Sequence, residues 1–249
     1  MDVTPAGAAE AIGLRFAART DVGRARRVNQ DAAYASGRVL AVADGMGGHA
    51  GGEVASETAI ACVRDLDGFT GGDPRSALEG AVTQVGPRLR ELAELRPELE
   101  GMGTTLTVLL LVGREFALAH VGDSRAYLLR RGDLYRLTED HTFVGALVKD
   151  GTITEAEARS HPRRSLLMRA LTSDASAVPD LSRHPAVPGD RYLICSDGLS
   201  GVLGPEAVHR GLSARESPDA AAEYLIALAL QNGGPDNVTC VVADVVAAA

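Results

Sequence analysis

Four times in this 249-residue chain a short apolar run meets an aspartate with glycine or serine close by. Val39 to Ala43 stops on Asp44-Gly45, and Ala117 to Val121 leads through Gly122 to Asp123-Ser124. Tyr192 to Ser196 stops on Asp197-Gly198, and Asp236 stands just before Val238 to Val242. Apolar runs of this length read as buried strands. If the four strand ends share one rim of a sheet, they gather like charges in a partly desolvated place, where they repel strongly without cations. Oxygen donors with no Cys or His partner suit hard ions, Mg²⁺ or Mn²⁺, over zinc. Five glycines within the eight residues after Asp44 leave the backbone there free to approach a ligand closely.

The rest of the chain supplies elements to carry that rim. Leu14 to Thr20 reads as a first strand and Val39 to Ala43 as a second. Glu53 to Leu66 carries Val54, Ala55, Ile60, Ala61 and Val63 at helical spacing. Another helix is expected from Arg75 to about Leu95, with Leu78, Val82, Val85, Leu89 and Leu92 on one stripe and Pro97 ending it. Thr104 to Val112 and Glu115 to Arg130, broken at Gly113-Arg114, predict a hairpin, with a further short strand over Leu134 to Leu137. Residues 140–164 are polar and contain a capping-box start at Thr154, which predicts a surface excursion with a short helix. Tyr192 to Cys195 is a strand, Ser217-Pro218 opens a helix that ends at Gly233-Gly234, and Val238 to Val246 is a last strand. Paired strands with grouped helices point to an α+β fold of antiparallel sheets covered by helices. A single domain over 1–249 is expected, after a small-residue lead-in to about Ile12.

Composition narrows the function classes. A net charge of −8 argues against nucleic acid or an anionic membrane surface as partner. The longest aliphatic run, Leu106 to Val112, is far short of the ~20 residues a membrane helix needs. Cys62, Cys195 and Cys240 lie far apart in apolar runs, as buried free thiols of a reducing compartment do. Met1-Asp2 opens without a basic region or apolar core, so no signal peptide and a cytoplasmic location are expected. A monomer is expected as well.

Six ordered motifs lie between Arg26 and Thr239, within a resemblance that runs from about Arg15 to Val245: Arg26-Arg-Val-Asn-Gln-Asp31, Asp44-Gly-Met-Gly-Gly-His49, Gly103-Thr-Thr105, Gly122-Asp-Ser-Arg125, Ser196-Asp-Gly-Leu199 and Gly233-Gly-Pro-Asp-Asn-Val-Thr239. Together they resemble the bacterial metal-dependent protein phosphatases of type 2C, with actinobacterial enzymes that oppose Ser/Thr kinases as the nearest look-alikes. The resemblance implies a four-layer α-β-β-α sandwich, two central antiparallel sheets flanked by helix pairs. It implies hydrolysis of phosphoserine and phosphothreonine in proteins, with two core Mn²⁺ or Mg²⁺ ions and a possible third. By the same resemblance Asp44 bridges the core ions, the Gly45 carbonyl holds one, and Asp197 and Asp236 complete the other. Asp31 acts from outside through water, Asp123 with Ser165 matches the extra bacterial site, Arg26 matches the phosphate-binding arginine, and 141–164 matches the mobile flap.

The chemistry agrees with that implication. Phosphomonoester hydrolysis needs an activated water, neutralised phosphoryl oxygens and a proton for the leaving alkoxide, and paired cations supply the first two. A guanidinium forks onto two phosphoryl oxygens better than an ammonium does. No Cys-x5-Arg motif is present for a cysteine nucleophile. His49, just past the glycine-rich turn, reads either as the proton donor or as a histidine that holds the loop, with His161 an outside contender. His120 reads as a core residue, and Arg125 and Arg169 as structural. A phosphoprotein-binding pseudophosphatase and a two-metal nuclease are the rival readings. The intact aspartates weigh against the first and the acidic balance against the second.

Overall fold

Period-2 alternation decides the layering, because the central strands are apolar on both faces. The computed structural model describes residues 11–47, 51–174 and 177–248. Its strands are β1 (Ile12–Asp21), β2 (Asp31–Ala35), β3 (Val39–Met46), β4 (Gly103–Thr104), β5 (Leu106–Val112), β6 (Glu115–Val121), β7 (Arg125–Arg130), β8 (Asp133–Arg136), β9 (Leu171–Thr172), β10 (Asp180–Pro185), β11 (Arg191–Cys195) and β12 (Val238–Ala247). Its helices are α1 (Gly51–Arg64), α2 (Pro74–Thr83), α3 (Val85–Leu95), α4 (Phe143–Lys149), α5 (Glu155–Ser160), α6 (Asp197–Ser200), α7 (Pro205–Ser213) and α8 (Pro218–Gln231).

The strands form two sheets, one ordered β1-β12-β11-β7-β8, the other β10-β6-β5-β3-β4-β9 with β2 also paired to β3. Every pairing among the described residues is antiparallel. In β3, Leu40 and Val42 face the other sheet, while Val39, Ala41 and Ala43 face α1, α2 and α3. In β12, Val241, Ala243 and Val245 face inward, while Val238, Cys240 and Val242 pack against α7 and α8. Three apolar cores therefore separate four layers, as the α-β-β-α expectation requires. Phe116 and Tyr192, one from each sheet, meet in the middle with ring centroids 4.6 Å apart. Each is fully buried, worth about 1.5–3 kcal/mol for a large apolar side chain.

Several boundaries differ from the sequence reading. The helix expected over Arg75 to Leu95 is two helices, α2 and α3, meeting at Gln84. Pro87 has no N–H to give the Thr83 carbonyl and its ring crowds that carbonyl, so the helix restarts. The run Glu115 to Arg130 is not one hairpin arm: β6 and β7 lie in different sheets, and the chain crosses between them at Gly122–Ser124. Gly122 has φ +111°, and a Cβ there would press into Thr105, so the crossing needs glycine. The excursion expected to hold one short helix has two, because Val144 finds a buried position that anchors α4. Asp197 begins α6, and Asp44 and Gly45 belong to β3 itself. Among the described residues no helix is long and apolar enough to cross a membrane.

Candidate active site

Backbone pairing sets the first two carboxylates. In the β2–β3 register Asp31 stands opposite Asp44. The Asp44 backbone is clamped from the Gly103-Thr-Thr105 motif: its N–H donates to Thr105 Oγ1 at 3.0 Å, and its carbonyl accepts from the Thr105 N–H at 2.8 Å and from Thr104 Oγ1 at 2.9 Å. Gly45 is enclosed so closely that a Cβ would strike the carbonyls of Gly52 and Gln30. A Cβ on Gly198 would likewise strike the Asn237 carbonyl, which presses the Asp197 turn against the Asp236 turn.

These side chains cluster closely enough that each feels its neighbours' charge. Each of Asp31, Asp44, Asp123, Asp197 and Asp236 keeps part of its surface in solvent. Burial, and then the charges of Asp31, Asp197, Asp123 and Asp236, hold the Asp44 carboxyl well above the usual carboxylate range. Burial and Asp236 raise Asp197, which lies within hydrogen-bond reach of Asp44. Burial, with Asp197 and Asp140 behind it, pushes Asp123 up to about 8. Asp31 is pushed up to about 6, chiefly by burial, although the hydroxyls of Thr239 and Ser196 favour its charged form.

Arg26 lies at the edge of this cluster, its Nη2 donating to Asp236 Oδ2 at 2.8 Å. Its guanidinium is held in the charged form first by Asp236 and then by Asp44 and Asp197. More than half of the Arg26 side chain is solvent-exposed, so it is available to an incoming anion. Ser165 lines a cleft that also touches Asp123 and Asp197. His49 lies outside the described residues.

The remaining candidates fall into structural roles. His120 is buried between Thr107 Oγ1 at 2.9 Å and the Glu139 carbonyl at 2.9 Å. Arg125 forks onto Asp140, and Arg169 pairs with Asp180 at 2.7 Å. His161 packs its ring beside Phe143, with centroids 6.0 Å apart. All three cysteines are free and buried.

Three further residues organise the site without having been singled out in the sequence. Ser196 Oγ donates to Asp31 Oδ2 at 2.8 Å and accepts from the Thr239 N–H at 3.0 Å. The Asn237 side chain accepts from the Gln30 N–H and donates to the carbonyls of Val22 and Val28, tying the Arg26 loop to the Asp236 loop. His141 accepts from the Gly122 N–H at 3.1 Å and reaches Asp180 at 3.0 Å, fixing the turn that carries Asp123 to the root of the flap. Ser196 and Asn237 sit inside the quoted motifs beside aspartates, and that adjacency was the available signal.

The donor set suits a hard divalent cation. It is all oxygen, the raised carboxyl groups would be relieved by positive charge, and the buried Oδ1 of Asp31 has no hydrogen-bond partner among the described residues. Among those residues no three His, Cys, Asp or Glu side chains close around a single point. A cation here would therefore take much of its coordination from water, as Mg²⁺ commonly does.

The family model of protein phosphatase 2C matches residues 23–242, and the chain belongs to that family. The serine/threonine phosphatase stp of Listeria welshimeri is 35% identical over 231 residues, 89% of this chain and 92% of that protein. The serine/threonine protein phosphatase PstP of Mycobacterium tuberculosis is 52% identical over 236 residues, which are 94% of this chain and 45% of PstP. The chain thus spans about half the length of that relative. The crystal structure of M. tuberculosis PstP/Ppp superposes with a TM-score of 0.90 at 51% identity, covering 93% of this chain and 98% of that one. The catalytic domain of PstP in complex with two manganese ions gives 0.88 at 49% identity, covering 94% and 99%.

Proposed function

We propose that this chain hydrolyses phosphoserine and phosphothreonine monoesters in proteins, using Mn²⁺ or Mg²⁺. The observation that carries the reading is the convergence of Asp44, Asp197 and Asp236 on one mouth with the Arg26 guanidinium at its edge. Asp44, the Gly45 carbonyl, Asp197 and Asp236 would hold the two core ions, and Asp123 with Ser165 a third. Cations bound there supply a nucleophilic water at neutral pH and neutralise charge on the phosphoryl oxygens.

The chain's own groups do the rest. Arg26 moves from Asp236 to fork onto two phosphoryl oxygens, orienting the phosphorus toward the carboxylate mouth. Asp31, held by Ser196, would act on the ions through water. The imidazole of His49 is assigned to protonate the leaving alkoxide. The substrates are phosphorylated proteins, Ser/Thr kinases and their targets among them, met in the cytoplasm by a monomeric enzyme.

Phosphate release from a small aryl phosphate and a phosphothreonine peptide, with and without Mn²⁺, tests the reading. Mn²⁺-dependent release from both is expected. Phosphopeptide binding without release would make the chain a pseudophosphatase, and cleavage of nucleic acid instead would make it a nuclease.

A further inference from the structure

A cleft of about 630 Å³ opens beside Asp123 and Asp197 and runs beneath α4 and α5. That volume lies within the range of pockets that hold a ligand or a short segment of one. Val144, Val148 and Met168 give it an apolar lining, and Ser200 and Gly201 close one side. Most of the cations around it are already neutralised. Arg125 pairs with Asp140 at 2.6 Å, and Arg136 with Asp140 at 2.5 Å and with Glu155 at 3.6 Å. Lys149 pairs with Glu139 at 2.6 Å, and Arg169 with Asp180 at 2.7 Å.

Arg159 and Arg164 are the exceptions. Both line the cleft, both are exposed, and neither has an acidic partner among the described residues. The next arginine along, Arg163, lies over the Phe143 ring at 5.6 Å from its centroid and does not line the cleft. Arg159 reaches across from α5 toward the turn before α7, its Nη1 3.6 Å from where a Gly204 Cβ would sit; Glu206 Oε2 lies 3.3 Å from the same point, near the guanidinium but beyond ion-pair distance. Two guanidinium groups outside any ion pair therefore stand at a cleft whose inner end is a carboxylate cluster, in a chain of net charge −8. The surrounding field repels anions, so these two groups make the cleft locally receptive to one.

We propose that this cleft is a specificity subsite for the peptide beside the phosphorylated residue, and that Arg159 and Arg164 make it select segments carrying aspartate or glutamate. The inference rests on the phosphatase reading of the adjoining site. A guanidinium accepts a carboxylate in a two-pronged fork, and the apolar lining takes the intervening side chains. Because both arginines are exposed, each contributes up to about fivefold in affinity, and salt weakens the effect.

The test compares wild type with Arg159→Gln, Arg164→Gln, the double variant and the double charge reversal to Glu. Glutamine keeps the aliphatic stem and removes the charge. Substrates are a phosphothreonine peptide flanked by Asp and Glu, the same peptide flanked by Asn and Gln, and an aryl phosphate that is too short to reach the arginines. Wild type should prefer the acidic peptide in kcat/KM, mainly through KM, and the preference should shrink as salt rises. The double Gln variant should lose the preference, and charge reversal should invert it. Aryl phosphate turnover reports the reaction centre alone and shows whether each variant is folded. A wild type that hydrolyses both peptides equally, or a double variant that keeps the preference, overturns the inference. A wild type that hydrolyses none of the three substrates overturns the phosphatase reading beneath it.

Discussion

Asp31 and Asp44 face each other across antiparallel strands β2 and β3, so two acidic side chains belong to one cross-strand pair. Like charges placed directly opposite are destabilising. The fold accepts the pairing only where something else relieves it, and here Asp197, Asp123 and Asp236 add to the repulsion.

The pH dependence of the metal-free protein follows from this. Asp31 is pushed up to about 6 and Asp123 to about 8, both above their unfolded values. Below about pH 4 folded and unfolded chains are both protonated at these sites. As pH rises the unfolded chain ionises first, so stability is lost progressively through pH 6 and 8. Mn²⁺ should therefore raise the thermal midpoint more at pH 8 than at pH 5.5. Asp31→Asn should raise the metal-free midpoint at pH 8 by about 2–4 °C, the effect of ~1 kcal/mol in a chain of this size. Scanning calorimetry at the two pH values checks both, and equal Mn²⁺ shifts would contradict the charge argument.

His120 sets the opposite limb. Burial first, and then neighbouring His141, lower it to about 4, below its unfolded value. Its contribution is complete above about pH 6.5 and is lost as pH falls toward 4, amounting to about 3 kcal/mol. His120→Gln, which can still donate to the Glu139 carbonyl but does not titrate, should make the acid limb of a urea-midpoint profile shallower. An unchanged limb would assign the acid sensitivity elsewhere.

Arg26→Ala should lower kcat/KM by about 10- to 100-fold, the loss expected for charge-assisted hydrogen bonds to a phosphoryl group. Since Arg26 pairs with Asp236 before substrate arrives, its removal leaves that carboxylate free, and Mn²⁺ affinity should be equal to wild type or tighter. Kinetics alongside calorimetric metal titration separates the two effects. Collapse of metal binding in the variant would make the arginine a support of the metal loop.

Asp123→Ala should leave the two-metal core active but lower turnover and flatten the response to added Mn²⁺ in roughly the millimolar range typical of weak carboxylate sites. A metal titration of phosphopeptide hydrolysis reads this directly. A curve identical to wild type would leave Asp123 a turn residue at the crossing between the sheets.

What could be read in advance was what depends on local pattern. The doubly apolar strands, the Ser217 cap of α8 and the Thr154 capping box all show in the chain order of their side chains. Strand β10 did not, because Asp-Leu-Ser-Arg-His-Pro is a polar edge that pairs only with β6 and carries no apolar alternation. Strand β2, made mostly of alanine, is too small in side chain to signal burial. Helix α7 escaped because only Val208, Gly211 and Leu212 are buried, a stripe too sparse to recognise. At the site the aspartates were legible from the apolar runs beside them, although Asp44 lies within β3 and Asp197 opens α6. The work of Asn237 was not, since it binds Gln30, Val22 and Val28 more than 200 positions away in sequence.

The central claim is that Asp44 anchors a metal-dependent phosphatase centre. Its most direct test is phosphate release from a phosphothreonine peptide by wild type and Asp44→Ala, each stripped with chelator and then titrated with Mn²⁺. The account predicts no release from stripped wild type, full recovery with Mn²⁺, and no recovery for the variant at any Mn²⁺ concentration. Turnover by the stripped wild type, or Mn²⁺-restored turnover in the variant, would contradict it.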